Sequence, residues 1–260
     1  MSPVTPKKAL GQHFLVDRNL LGVIGRLANL GPDDVVLEIG PGLGVLTTFL
    51  ADRVGHVHAI ELDRELEPLL RTALDGRSNV ELVFGDALAF DLRTLDPQPT
   101  KLVANLPYNV ATPLVAETLT GVPSLTGWCV MVQREVADRF FAEPGTKAYG
   151  AVSVLVRLHA RRTGFHPVSR TVFRPPPNVD SALVAFERIP PPANADAVLR
   201  VVTGAFAHRR KTLANALALA GAASRGAAVA ALETIGRRAD IRAEALAPEE
   251  FVALTAALGV

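Results

Sequence analysis

The sequence predicts an α/β fold: a doubly wound, mostly parallel sheet followed by a small all-helical domain. Two observations predict it. Short β-rich apolar runs alternate with segments of helical periodicity through the first half of the chain. Strand-helix alternation of this kind builds a parallel sheet with helices on both faces. After "PPPANA" (190–195) the chain turns alanine-rich, with helical spacing and no strand candidate as far as Val260.

In chain order, "MSPVTPKKALGQHF" (1–14) carries Lys7 and Lys8 without an apolar run behind them, so it is read as a basic arm (1–16) and not as a secretory leader. Five strands are expected at "DVVLEIG" (34–40), "HVHAIEL" (56–62), "VELVFGD" (80–86), "KLVANLP" (101–107) and "GWCVMVQ" (127–133). Between them "LGVLTTFLADR", "RELEPLLRTAL" and "TPLVAETLT" have helical spacing. Two further strand-like runs, "VSVLVRLHA" and "SALVAFERI", follow without a long helix between them and are expected to close one edge as antiparallel strands. The domains are therefore expected at 1–188 and 194–260, the second all-helical.

Composition narrows the class. Of 260 residues 49% are hydrophobic and 20% charged, which suits a folded globular protein. No apolar run approaches the roughly 20 residues of a membrane span, so no membrane partner is expected and the cytoplasm is the expected location. The single cysteine, Cys129, excludes an internal disulfide framework and reads as a small buried hydrophobe. Six histidines without Cys or acidic partners at ligand spacing predict no metal site. Net charge is +1, but residues 61–96 hold nine acids against four bases, whereas residues 144–179 hold six bases and no acid. Either a positive face that engages nucleic acid or an ordinary solvated surface follows from that asymmetry.

The first strand ends in "EIGPGLG", with Gly40, Gly42 and Gly44. Glycines there let the backbone approach a ligand. Val45 occupies the position where the dinucleotide fingerprint needs glycine, which argues against a nicotinamide oxidoreductase. Glu61 ends the second strand 21 residues after Gly40, and Asp86 ends the third. In a doubly wound sheet these strand ends meet in one crevice. A carboxylate at Glu61 suits a ribose diol and one at Asp86 the exocyclic amine of an adenine; the alternative is that both cap the helices after them. The fourth strand ends in "NLPY" (105–108). An adenine N6 amine is a poor nucleophile because its lone pair is delocalised into the ring. Two acceptors aimed at its N–H bonds, the Asn105 side-chain oxygen and the Leu106 carbonyl held outward by Pro107, would localise that lone pair. Tyr108 offers a flat face for an extruded base.

These stretches, with "KKALGQHFLVD", "VLEIGPGLGVLT", "VANLPYNVATPL", "PGTKAYGAVSVLVR", "FRPPPNVDSALV" and "AFAHRRKTLANAL", resemble the KsgA/RsmA type of S-adenosylmethionine-dependent small-subunit rRNA adenine dimethyltransferase over nearly the whole chain. The resemblance implies a Rossmann-like class I methyltransferase sheet with S-adenosylmethionine as cofactor. It further implies dimethylation of N6 on two adjacent adenosines in the 3′-terminal hairpin loop of 16S rRNA, in a nearly assembled small subunit, by a monomer. Carried over by position, it puts His13 and Leu15 over the cofactor and Gly40 and Gly42 beside its methionine part. Glu61 and Leu62 fall at its ribose, Asp86 and Ala87 at its adenine, and Asn105 between cofactor and target amine. Many relatives have asparagine where His13 stands. Phe173 is the implied second aromatic wall of the base pocket, with a core phenylalanine as the alternative. RNA contacts are implied for Arg209, Arg210 and Lys211, which are expected to open a helix, and for Lys7 and Lys8. Two other readings are a large-subunit rRNA adenine methylase conferring macrolide resistance, and a non-catalytic assembly factor of the same fold. The first shares the glycine loop and an asparagine-proline-tyrosine motif but not the leucine of "NLPYN". The intact cofactor set argues against the second.

Overall fold

The structure is a computed structural model and describes residue 7 and residues 12–260. The chain runs through β1 (Phe14–Leu15), α1 (Asn19–Leu27), β2 (Val35–Ile39), α2 (Val45–Ala51), β3 (His56–Glu61), α3 (Glu67–Ala73), β4 (Val80–Phe84) and β5 (Lys101–Asn105). It continues through α4 (Ala111–Gly121), β6 (Gly127–Gln133), α5 (Arg134–Phe140), α6 (Ala151–His159), β7 (Ala160–Val168), β8 (Phe173–Arg174) and β9 (Ser181–Arg188). Four helices follow: α7 (Ala195–Ala207), α8 (Leu213–Leu219), α9 (Arg225–Thr234) and α10 (Pro248–Leu258).

Seven strands form one sheet in the order β4-β3-β2-β5-β6-β9-β7. Pairings from β4 across to β6 are parallel and β9 runs antiparallel to β6. The parallel strands are nearly continuous apolar runs because both faces are covered: Val36, Leu37, Val57, Ala59, Leu102 and Val103 are fully buried. Between β2 and β5 the strand order reverses. The connection after β2 leads to β3 on one side, that after β5 to β6 on the other, and a crevice opens between the diverging loops.

The chain divides into two compact units, one made of the residues up to Ala137 with Arg161–Arg188, the other of Asp138–Ala160 with Ile189–Val260. Residues 138–160 thus group with the helical unit, where the sequence reading kept them with the sheet. The reason lies in "VSVLVRLHA". Its β-branched residues suggest a strand, yet it forms α6, whose Val154 and Leu158 join Val198, Val202, Leu213, Leu217 and Phe251 in the helical core. Packing outweighs β-propensity there. Ser153 helps start the helix, accepting from Gly150 N at 3.1 Å and donating to the Arg139 carbonyl at 2.6 Å. The seventh strand is instead β7, polar and unread in the sequence.

Two further expectations change in three dimensions. His58 has an acidic partner after all, because the β3–β4 register sets it opposite Glu81 and brings Nδ1 to 2.7 Å from Oε2. The basic run 144–179 is partly neutralised: Arg157 pairs with Glu143 at 2.8 Å and Arg161 with Glu187. Cys129 is buried, and burial pushes its thiol up to about 12, so it is an inert core side chain. No helix among the described residues is long and apolar enough to cross a membrane.

Arg188 closes the end of the antiparallel edge. Its guanidinium donates to the carbonyls of Leu125 (2.6 Å), Leu119 (2.9 Å) and Val122 (2.9 Å) and lies over the Trp128 ring. Arg188→Met keeps the apolar stem but strands three carbonyls, and should destabilise the protein by about 2–3 kcal/mol in urea unfolding.

Candidate active site

The crevice at the C-terminal ends of β2, β3, β4 and β5 is lined by the glycine loop, by Glu61 and Leu62, by Asp86 and Ala87, and by residues 105–110. His13 and Leu15 also line it. The structure therefore brings together all the residues expected at the cofactor.

Glu61 organises the crevice. The last residue of β3, it is 6% exposed, and its Oε2 accepts from Gly42 N at 3.0 Å while Oε1 accepts from Asp63 N at 2.9 Å. Burial pushes its pKa up and these two backbone donors oppose the shift. Each oxygen keeps a lone pair, which suits two vicinal hydroxyls. The short 3-10 turn (Arg64–Leu66) that leads into α3 is capped by another residue, Asp63, whose Oδ1 accepts from Glu65 N. Gly42 has φ +60°, and a Cβ there would stand 3.1 Å from the Phe14 ring, so a side chain would be strained and crowded where the carboxylate is held.

Asp86 Oδ1 accepts from Leu88 N at 3.0 Å, which shapes the turn after β4, and no described residue engages Oδ2. Leu62, which also lines the crevice, is 54% exposed, a large apolar side chain left open as a surface that a flat ring covers would be.

Asn105 ends β5. Its Nδ2 donates to the His13 carbonyl at 3.1 Å, which orients the amide and turns Oδ1 into the available acceptor. Leu106 is anchored by its own N–H to Met131 O at 3.1 Å, and Pro107 follows with no N–H. The Tyr108 hydroxyl lies 2.5 Å from Ser181 Oγ, and the His13 imidazole stacks on the ring at a centroid distance of 5.5 Å. His13 Nδ1 donates to the Pro175 carbonyl at 2.8 Å, because a carbonyl only accepts.

The aromatic partner of Tyr108 is thus His13. Phe173, expected as a second wall, is 3% exposed, pairs through β8 with Leu15 and packs in the sheet's hydrophobic core. Its apolar ring follows the core because the strand pairing turns it inward.

Glu38, which the sequence reading passed over, lines the same crevice. It is 1% exposed, and its Oε2 is buried with no hydrogen-bond partner among the described residues. Burial raises its pKa to about 8, and the Glu61 charge adds to the shift. The carboxyl therefore holds a proton at neutral pH and offers the crevice a buried polar group. The signal was present: an acid inside the apolar strand "VVLEIG", directly before the glycines.

The basic residues behave differently. Lys7 does not act as a loose arm: its ammonium lies 2.7 Å from Asp63 and 3.0 Å from Glu65, and Gln12 Nε2 donates to Asp63 at 2.8 Å. Burial pushes Asp63 up, but the Lys7 and Gln12 bonds more than offset it and hold its carboxyl below the usual range. Lys8 lies outside the described residues. Arg209, Arg210 and Lys211 stand in the exposed turn between α7 and α8, not at a helix start as expected, since Ala207 ends one helix and Leu213 begins the next. Arg209 is held by the Tyr149 carbonyl at 2.9 Å and by Glu244 at 3.6 Å.

The profile of the family described as ribosomal RNA adenine dimethylase matches residues 4–255. The chain belongs to that family. A protein of Rubrobacter xylanophilus named ribosomal RNA small subunit methyltransferase A is 50% identical over 250 residues, covering 96% of this chain and 94% of its own. A dimethyladenosine transferase structure from Plasmodium falciparum superposes with a TM-score of 0.78 at 25% identity, over 93% of this chain and 96% of the other. The structure of the 23S rRNA methyltransferase ErmE gives 0.70 at 29%, over 95% and 100%. The fold is that of the class I methyltransferases, and the cofactor of the family is S-adenosylmethionine. The crevice fits that cofactor: Glu61 has spare lone pairs that suit a ribose diol, Leu62 adds an exposed apolar surface beside it, and one oxygen of the buried Glu38 carboxyl lacks a partner among the described residues.

Between pH 4.5 and about 8 the native state keeps a proton on Glu38 that the unfolded chain releases. Stability should therefore fall as pH rises through that window, by about 4–5 kcal/mol at roughly 1.4 kcal/mol per unit. Glu61 contributes with the same sign. In Glu38→Gln the profile of urea midpoint against pH should flatten; a slope equal to that of the unaltered protein would contradict the assignment.

Proposed function

We propose that this protein dimethylates N6 of two adjacent adenosines in the 3′-terminal hairpin loop of 16S rRNA, acting as a monomer in the cytoplasm on a late, not yet mature small subunit. The observation that carries the reading is the end of β5. There Asn105 Oδ1 and the Leu106 carbonyl stand beside the glycine loop and Glu61, with Tyr108 next along the chain.

When bound, S-adenosylmethionine supplies an activated methyl group on a sulfonium. The protein supplies the geometry. Asn105 Oδ1 and the Leu106 carbonyl accept the two N–H bonds of the target amine, rotate its lone pair out of the ring and aim it into the crevice. Tyr108, fixed through Ser181, holds the flat face of the extruded base. No strong base is needed, because the amine loses a proton readily once methylated. Glu61, with Leu62, holds the cofactor ribose, and Asp86 and Ala87 its adenine. His13 and Leu15 close over it from the N-terminal segment. Arg210 and Lys211 meet phosphates, whereas Arg209 mainly braces its own turn.

Methyl transfer from labelled S-adenosylmethionine should yield N6,N6-dimethyladenosine in unmethylated small subunits and none in large subunits or naked 23S RNA. Label in large-subunit RNA would overturn the substrate. Asn105→Ala should slow single-turnover transfer on the order of 100-fold or more while cofactor affinity stays within about twofold. Arg210→Ala and Lys211→Ala should each weaken RNA binding and reduce its log-log salt slope by about 0.7–0.9, with cofactor affinity unchanged.

A further inference from the structure

At the sheet's β4 edge, β3 and β4 collect three side chains that methyl transfer does not use. Side chains alternate along a strand, so His56 and His58 leave β3 on the same face. Glu81 is the register partner of His58 on β4 and joins them. One potential ligand atom from each lies within 4.8 Å of the other two.

Hydrogen bonds fix how His58 is used. Its ring is fully buried, and Nε2 lies 2.7 Å from the Pro97 carbonyl. A carbonyl only accepts, so Nε2 carries the hydrogen. That leaves Nδ1, 2.7 Å from Glu81 Oε2, facing a carboxylate that also only accepts. Something positive must stand between them, either a second proton or a metal cation. The His56 ring packs edge-on at a centroid distance of 4.4 Å, and its Nε2 is buried with no hydrogen-bond partner among the described residues. A buried imidazole nitrogen left so is unfavourable unless something meets it.

Two imidazoles and one carboxylate make a donor set that zinc-class ions take. Metal-bound histidines also hold their second N–H on a carboxylate or a backbone carbonyl, as His58 does on Pro97. We propose that His56, His58 and Glu81 form a binding site for a zinc-class divalent cation, completed by water. The Glu81 side chain is half exposed, which gives the ion a path and lets the carboxylate open to coordination distance. His56 begins β3 and Glu61 ends it, so the ion sits at the far end of the strand from the cofactor crevice. It would tie the edge strand β4 to β3 and to the loop carrying Pro97, a structural role and not a catalytic one.

The test is calorimetric titration of Zn²⁺, with Mg²⁺ in parallel, into the whole protein after dialysis against chelator, and into His56→Ala and Glu81→Gln. The expected result is one Zn²⁺ per chain, no matching Mg²⁺ binding, and at least tenfold weaker Zn²⁺ binding in each variant while S-adenosylmethionine affinity stays unchanged. Absence of Zn²⁺ binding, or equal affinity in the variants, would overturn the site. Nitrogen NMR of the histidine rings gives a second readout on the unaltered protein. Zn²⁺ should remove the proton at His58 Nδ1 and keep the one at Nε2, and an Nδ1 proton that persists in saturating Zn²⁺ would sink the proposal even if a variant failed to fold.

Discussion

The molecule depends first on the reversal of strand order between β2 and β5. Parallel strands put all their C-terminal ends on one edge, and a reversal makes two neighbouring connections leave in opposite directions. No packing fills the gap between them, so the ends of β2 and β5 face a crevice that the glycine loop and residues 105–108 border. The remaining site geometry is local adjustment to that gap: two backbone N–H groups fasten the Glu61 carboxylate, the His13 carbonyl orients the Asn105 amide, and Ser181 fixes the Tyr108 hydroxyl.

That crevice contains two acids with different tasks. Glu61 is met by backbone donors on both oxygens and keeps lone pairs for hydroxyls, whereas Glu38 is buried with one oxygen unpartnered and holds its proton. Burial raises the pKa of both, and the donors set them apart. A protonated Glu38 spares the crevice a second uncompensated charge, which would cost far more than a neutral carboxyl.

Much of this was legible in the chain. The parallel strands announced themselves as apolar runs, because burial on both faces demands them, and the glycine loop, Glu61, Asp86 and "NLPYN" followed from what each strand end must do. What escaped shares a cause. α6 looked like a strand because β-branched residues favour either state according to what packs on them, and only the helical core decided it. Phe173 looked like a pocket wall, but pairing of β8 with β1 turned it inward. Lys7 looked like a free cation until Asp63 and Glu65 met it from more than fifty residues away. Glu81 lies 23 residues beyond His58, too far for any spacing rule to join them.

The sequence by itself determined the fold class, the family and the residues that border the crevice, since these depend on local periodicity and on short motifs whose spacing is read along the chain. Tertiary structure alone decided which charges are paired, which carboxyl keeps a proton, which aromatic ring faces Tyr108 and where two histidines meet a glutamate. Those are properties of distance in space and of exclusion from water, and neither is encoded at any fixed separation in sequence.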